Sequence, residues 1–402
     1  MRNTADGGAL QLLKSYDPAT FRHLLLIQHY SAVGTWLWTQ PGGSFAPDPR
    51  LTLEIAGDGS AVLAVTTFDR LIMRKFDGDS GQIFWERERM LDVSDDANQL
   101  DRAALARDEA TQSILVAVAD QDDYLILRYG EDGNPLSEVR WGVPDSVDVP
   151  TAVLPVSGGG FVVTGYEHGV SNVSAYRTLG YNSAGAQQFS DRQISPPGNL
   201  FTPAWLAGDT AGNIWVLGGP EAPCGIFNYE IWKLDASGQR QWLLRGPPDS
   251  CVIGAAKSAK PLGMTLLADG SVIVVSDATF NSVGIERINA AGQRVWERNW
   301  TGPGTAVHAT PRAFASNAQG RTRVVGSVNL RFAFAEWTAD GSLCAEGSNG
   351  DANGDAIQVM GSGWIVGAQS VFTQSTNTDA ILARYPGATC GSDLLMVGGF
   401  EF

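Results

Sequence analysis

The side chains of this chain that could do chemistry are two loop histidines, a few clustered carboxylates and four cysteines. His168 stands in Tyr166-Glu-His-Gly169 and His308 in Thr305-Ala-Val-His308. With Glu167 they are candidate metal ligands or proton carriers, because neutral imidazole and carboxylate are ordinary donors for a divalent ion. They lie far apart in the chain, so no local motif joins them. His23 and His29 sit in apolar runs and read as packing residues. Asp120-Gln-Asp122-Asp123 crowds like charges, which either attract a cation or stay solvated. Asp277 follows the apolar run Val272–Val275 and is a further candidate. Asp351, Asn353 and Asp355 place oxygens at positions 1, 3 and 5 of a Ca²⁺ loop. Ala356 stands where that loop needs glycine, and Ser362 where it needs an acid. Ca²⁺ is therefore the one metal raised by a pattern, and a solvated polar loop explains the same residues without it.

Several reaction classes leave no trace. There is no HExxH, no GxSxG, no GxxxxGK[ST] and no GxGxxG after a strand. Paired acids for glycoside hydrolysis would come from distant segments and leave no spacing to read. The chain carries 28 basic and 43 acidic residues, a net charge of −15. That balance disfavours nucleic acid and anionic membrane surfaces as partners, since both need a basic footprint. No apolar stretch is long enough for a membrane-spanning helix. The start, MRNTADGGALQLLKSYD, does not read as an export signal.

The elements that must position these residues recur along the chain. Residues 51–87 read LTLEIAGDGSAVLAVTTFDRLIMRKFDGDSGQIFWER, and residues 262–298 read LGMTLLADGSVIVVSDATFNSVGIERINAAGQRVWER. The two align without a gap. Turn glycines at Gly34, Gly81, Gly133, Gly185, Gly238, Gly292, Gly341 and Gly387 repeat about every 50 residues, a period typical of propeller blades. A second series runs Gly7, Gly59, Gly159, Gly212, Gly270, Gly320 and Gly363, with Gln112 where the third glycine would fall. Four residues after the first series stands an aromatic at Trp38, Trp85, Phe189, Trp242 and Trp296. Each unit thus reads as two hairpins, four short strands, with no helical periodicity.

Four-stranded units at this period predict an all-β fold, a single β-propeller of four-stranded antiparallel blades spanning residues 1–402. Eight blades are expected, with seven as the alternative. The units fall at about 1–46, 47–98, 99–147, 148–200, 201–257, 258–308, 309–352 and 353–402. The first begins at its second strand, so either the segment Leu394–Phe402 closes the ring by pairing beside the N-terminus or the true start lies upstream. The recurrent aromatics are expected between blades. Loops joining second to third strands, and one blade to the next, share a face. Asp122, Asp123, Glu167, His168, Asp277 and His308 are the candidates for that face.

The segment Lys75-Phe-Asp77-Gly-Asp-Ser80-Gly81-Gln-Ile-Phe-Trp85 resembles the tryptophan-docking repeat of pyrroloquinoline-quinone-type propellers, A-x-D-x-x-T-G-x-x-x-W. Asp77, Gly81 and Trp85 match at the family spacing. Ser80 replaces Thr and Lys75 replaces Ala. Leu234–Trp242 and Ile288–Trp296 are similar with a turn one residue shorter. The resemblance implies the propeller fold. Its quinoprotein dehydrogenases carry adjacent cysteines, a Ca²⁺ site and a catalytic aspartate, and no residue here matches these. Segments such as Leu266–Val275, and the ending Leu394–Phe402, are similar to parts of exported bacterial proteins.

Cys224 and Cys251 fall in two loops of the same face and are expected to form a disulfide, whereas Cys344 and Cys390 are expected too far apart. An even cysteine number favours a location outside the cytoplasm: periplasm, cell surface or medium. The function expected is a non-catalytic monomeric scaffold that offers one face to a protein or polysaccharide, with no resident cofactor. The alternative is an enzyme on the same frame, a quinone-dependent dehydrogenase or a polysaccharide hydrolase or lyase.

Overall fold

The computed structural model describes residues 2–3, 8–17, 19–31, 35–45, 49–56, 58–67, 69–92, 103–169, 174–194, 201–220, 229–246, 259–278, 282–303, 309–317, 319–329, 331–349, 352–360, 363–370 and 380–385. The fold class is all-β, with the four-stranded antiparallel blades of a β-propeller. Seven such blades are found among the described residues, the smaller of the two expected numbers. They run from strand Arg2–Asn3 to Trp36–Phe45 (blade 1), Arg50–Ile55 to Ile83–Met90 (blade 2) and Ala104–Asp108 to Pro135–Trp141 (blade 3). Blade 4 runs from Ser146–Val156 to Gln187–Ile194, and blade 5 from Phe201–Gly208 to Arg240–Arg245. Blade 6 runs from Ala259–Leu266 to Arg294–Trp300, and blade 7 from Ala309–Ser316 to Leu343–Asn349. Ala352–Met360, Gly363–Ser370 and Ala380–Tyr385 form a further sheet of three strands. Each sheet is a meander in chain order, and a single 3-10 turn, Ser157–Gly159, is the one helical element described.

Blade 1 is not closed as expected. Its first strand is Arg2–Asn3, with Arg2 opposite Leu10 and Asn3 opposite Ala9. The expectation took Gly7 as the first turn but overlooked that the residues before it reach back to pair. The segment Leu394–Phe402 lies outside the described residues.

Two compact units divide the chain. One holds Tyr16–Leu26 and Thr39–Lys257, the other Met1–Ser15, Ile27–Trp38 and Ser258–Phe402. Within the first, strand Ser113–Asp120 shows how the core forms. It is buried along its whole length, so both faces are apolar. Side chains alternate across a strand. Ile114, Val116 and Val118 pack with Val62, Leu71 and Trp85 of blade 2, while Leu115 and Ala117 pack with Val153, Phe161 and Val163 of blade 4. Blade 4 meets blade 5 through Val162, Tyr176, Val216 and Trp232. In the second unit, Ile273, Val275, Ile285 and Trp296 of blade 6 pack on Val324, Ala333 and Trp337 of blade 7. The outer strands are largely exposed: in Ile83–Met90 only Trp85 is buried, while Ile83, Phe84 and Met90 face solvent among charged residues. The charged residues interspersed along these strands blunt the edge they present.

One irregularity recurs in six blades. The register between third and fourth strands slips at Lys75/Phe76, Arg128/Tyr129, Gly180/Tyr181, Lys233/Leu234, Arg287/Ile288 and Glu336/Trp337. A bulge bends its strand and re-aims the next side chain. That next side chain is Trp85 opposite Lys75, Phe189 opposite Gly180, Trp242 opposite Lys233 and Trp296 opposite Arg287.

The re-aimed tryptophans clasp the following blade. Trp85 Nε1 donates to the carbonyl of Glu131 at 2.9 Å, and Arg87 Nε to that of Gly133 at 2.8 Å. In the other unit Trp296 Nε1 donates to Ala339 at 2.9 Å, and Arg298 Nε to Gly341 at 2.9 Å. The indole lies against the receiving glycine: a Cβ on Gly133 or Gly341 would come within 2.7 or 2.6 Å of the ring. Both glycines also hold positive φ, +77° and +80°, so the turn and the clasp each demand glycine. Gln112, where a glycine was missing, adopts φ 51° with a side chain in place.

His29 is buried and meets Trp38 edge-on at 5.5 Å, as a packing residue would. Cys344 is in a disulfide, and its partner lies outside the described residues. The other three cysteines, Cys224 and Cys251 among them, lie outside the described residues.

Candidate functional site

Strands Ser113–Asp120 and Asp123–Gly130 are joined by two residues, Gln121 and Asp122, with Asp120 opposite Asp123. Both turn residues hold positive φ, 56° and 62°. Two successive left-handed residues match the right-handed twist of a hairpin, but side chains other than Gly, Asn and Asp adopt them at a cost. The tight turn projects Asp122 and Asp123 together at the strand ends.

The connection from blade 3 to blade 4, residues 142–145, lies beside this turn. Asp145 also has positive φ, 60°. The Asp148 backbone N–H donates to the Asp122 carbonyl at 2.7 Å, tying the two loops together. A Cβ on Gly142 would stand 1.6 Å from Asp123 Oδ1, so a side chain there would push that carboxylate aside. The third wall is the end of strand Gly160–Gly169, where His168 pairs with Val147 and Glu167 with Asp148.

These pieces enclose an open groove of about 780 Å³. Asp122, Asp123, Asp145 and His168 line it, together with Gln121 and residues 142–147. No lysine or arginine is among the lining residues. Asp122 Oδ1 is buried without a hydrogen-bond partner.

A buried polar layer supports the floor. The Asp148 carboxylate accepts hydrogen bonds from the Val143 N–H at 2.7 Å and the Ser146 hydroxyl at 3.1 Å. Burial pushes its carboxyl up to about 6, and the negative charges of Glu167 and Asp123 add to the rise against those two hydrogen bonds. Glu167 is buried and committed to two cations: Arg177 donates Nε at 3.1 Å and Nη2 at 2.9 Å, and Arg192 donates Nε to its other oxygen. Arg177 lies over the Trp141 ring at 5.1 Å, and Tyr124 meets the same ring edge-on at 5.2 Å. The Tyr124 hydroxyl is buried without a partner, and desolvation holds it well above its ordinary value. Arg140 pairs with Asp120 at the side of the turn.

Three of the residues singled out in the sequence, Asp122, Asp123 and His168, therefore come together, with Glu167 one residue away in the buried layer. Asp277 lies in the other unit, half-buried and opposite Lys260. Burial raises its carboxyl, while Lys260 and Arg312 pull it down. His308 and Asp351 lie outside the described residues. Asn353 and Asp355 fall within strand Ala352–Met360, with Asn353 opposite Gln369, and not in a loop. Among the described residues no group of three or more histidines, cysteines and carboxylates is arranged to hold a metal ion. Sequence reasoning missed Asp145, Asp148 and Gly142. The signal was present in Val143-Pro-Asp-Ser-Val-Asp148, a turn between units that the repeat places on the same face as Asp122.

No known protein family matches the chain, and no curated protein does. Among solved structures it is similar to the Dos1 propeller, with 10% identity and TM-score 0.57 over 90% of this chain and 91% of that one. A protein from Lactobacillus plantarum matches at 13% identity and TM-score 0.54, covering 85% of this chain and 96% of that one. Dihydro-heme d1 dehydrogenase NirN matches at 13% identity and TM-score 0.52, covering 85% of this chain and 67% of that one. These structures share with the chain the β-propeller fold, and at such identities the likeness extends to the fold alone.

Proposed function

We propose that this protein is a non-catalytic propeller scaffold whose acidic groove at blades 3 and 4 receives a cationic segment of a protein partner. The observation that carries the reading is the lining itself: three aspartates, one histidine and no lysine or arginine. Carboxylates gathered in a concave, low-dielectric wall focus negative potential and favour lysine or arginine. The net charge of −15 adds a long-range pull on such a partner. A neutral polysaccharide usually stacks on exposed rings, and here Trp141 and Tyr124 lie in the floor beneath Arg177 rather than in the lining.

The two units are read as parts of one propeller domain that works as a monomer. The disulfide at Cys344 supports a compartment outside the cytoplasm. No resident cofactor is part of this reading.

The test is a titration of the full-length protein with an arginine- and lysine-rich peptide, a neutral peptide and a neutral oligosaccharide. The basic peptide is expected to bind, with affinity falling as salt rises. Asp122→Asn, Asp123→Asn and Asp145→Asn together are expected to weaken it about tenfold or more, roughly 1.4 kcal/mol or above. Binding of the oligosaccharide alone, or peptide binding untouched by the triple variant, would overturn the reading. Turnover of a polysaccharide or reduction of an added quinone would point to the enzyme alternative.

A further inference from the structure

The clasp between blades is altered at blade 4. Trp85 reaches the carbonyl of Glu131, two residues before the receiving Gly133, and Trp296 reaches that of Ala339, two before Gly341. Blade 4 carries Phe189 at the same position. Its ring lies on the receiving Gly238, where a Cβ would come within 2.2 Å, so the seat is the same. The residue two before Gly238 is Ala236. A phenyl ring has no N–H to offer the Ala236 carbonyl, and it is shorter than an indole. It also leans over Gly180 of its own blade, where a Cβ would meet it at 2.1 Å.

The space left over is visible. A cavity of about 250 Å³ lies between blades 4 and 5, and its lining includes Phe161, Tyr181, Phe189, Gly212, Ile214 and Ala236. Phe161 and Tyr181 stack at 4.9 Å and offer one aromatic wall. The Tyr181 hydroxyl is buried without a hydrogen-bond partner. Blade 3 shows how such a gap is otherwise closed. It has Ser137 at the aromatic position, and Val139 two residues on covers Gly185 instead, with a Cβ on that glycine 2.9 Å from the Val139 side chain. In blade 4 the corresponding residue is Asp191, which turns to Arg240 at 2.7 Å and leaves the gap open.

We propose that this interblade cavity binds a small planar aromatic molecule of the indole class, its ring between Phe189 and the Phe161–Tyr181 stack and its N–H donating to the Ala236 carbonyl. The chain supplies its own precedent: an indole N–H fills the equivalent acceptor at Trp85 and Trp296. Clefts of this kind, with an aromatic wall and a few polar groups at the rim, accept small aromatic ligands when the shape matches. The site is separate from the acidic groove and does not depend on it.

The experiment uses the full-length protein and indole itself, followed by ligand-observed NMR and thermal melting. Saturable binding is expected, with 1-methylindole, which lacks the donor, at least fivefold weaker. Phe189→Trp supplies the missing ring from within and is expected to abolish indole binding while melting no lower than the parent. Ser157→Trp blocks the cavity rim from an exposed position and carries the same expectation if the first variant does not fold. Asp122→Asn in the groove should leave indole binding unchanged. No saturable binding to the parent overturns the proposal, as does equal binding to the parent and a folded plugged variant. Equal affinity for indole and 1-methylindole overturns the role given to Ala236.

Discussion

At the scale of single residues, three buried side chains make measurable claims. Trp85→Phe and Trp296→Phe keep a ring in the clasp and remove its hydrogen bond to the next blade. Each is expected to cost about 1 kcal/mol, against about 3–5 kcal/mol for the alanine variants, read as denaturant midpoints. Asp148 makes a claim about pH. Its carboxyl is raised to about 6, so the folded chain holds that proton more tightly than the unfolded chain does. The associated stability is present below about pH 4, where an unfolded aspartate titrates, and is lost as pH rises through about 6. Asp69, held down at about 2 by Arg70, works in the opposite sense at lower pH. The difference between the parent and Asp148→Asn isolates the first effect: their melting temperatures should diverge between pH 4 and 6, the parent falling relative to the variant. A constant difference across that window would refute the assignment. Asp122, Asp123 and His168 were legible as site candidates because the repeat puts their loops on one face. Asp148 was not, since its role comes from burial and from Val143 and Ser146 turning back on it, which no local spacing records.

At the scale of elements, the turn Gln121–Asp122 and the loop beginning at Gly142 shape the groove. Gln121 holds φ 56° with a side chain that does not favour it. Gln121→Asn should stabilise the protein by about 0.5 kcal/mol without altering the carboxylates, because asparagine tolerates the left-handed region better. Gly142→Ala should do the reverse: the new methyl displaces Asp123, so peptide affinity falls while the melting temperature changes little. Strand and turn positions were readable from the sequence because glycine spacing and β-branched runs are local signals. The recurrent bulge before each outer aromatic was not. It is a mismatch between two strands, and only the pairing of Lys75 with Trp85 and Phe76 with Ile83 reveals it.

At the scale of the molecule, the blade number shows where repeat counting meets its limit. Eight units can be read in the sequence, whereas seven four-stranded blades are found among the described residues, with three further strands after them. The short strand Arg2–Asn3 escaped notice because two residues carry no periodicity. The cysteines give a test at this scale. Cys344 is disulfide-bonded, and if Cys224 pairs with Cys251 its partner is Cys390. Non-reducing peptide mapping should return these two linked pairs, and a Cys344–Cys224 or Cys344–Cys251 peptide would reject the scheme. The large negative charge should also make association with a basic peptide fast at low salt and slower as salt screens it, by tenfold or more in on-rate.

The hydrogen bonds of the clasp take hold of backbone alone. Trp85 and Arg87 grip the carbonyls of Glu131 and Gly133, while Trp296 and Arg298 grip those of Ala339 and Gly341. An acceptor that every amino acid carries, beside a glycine the turn already requires, frees this part of the joint from side-chain identity, while Arg89–Glu138 and Trp300–Glu346 beside it still read their neighbours by side chain. Such a joint tolerates duplication and shuffling of units during descent, and it lets the loops of each blade drift without unsettling the next. Blades 2 and 6, alike through both turns and different in their loops, are what that freedom would produce.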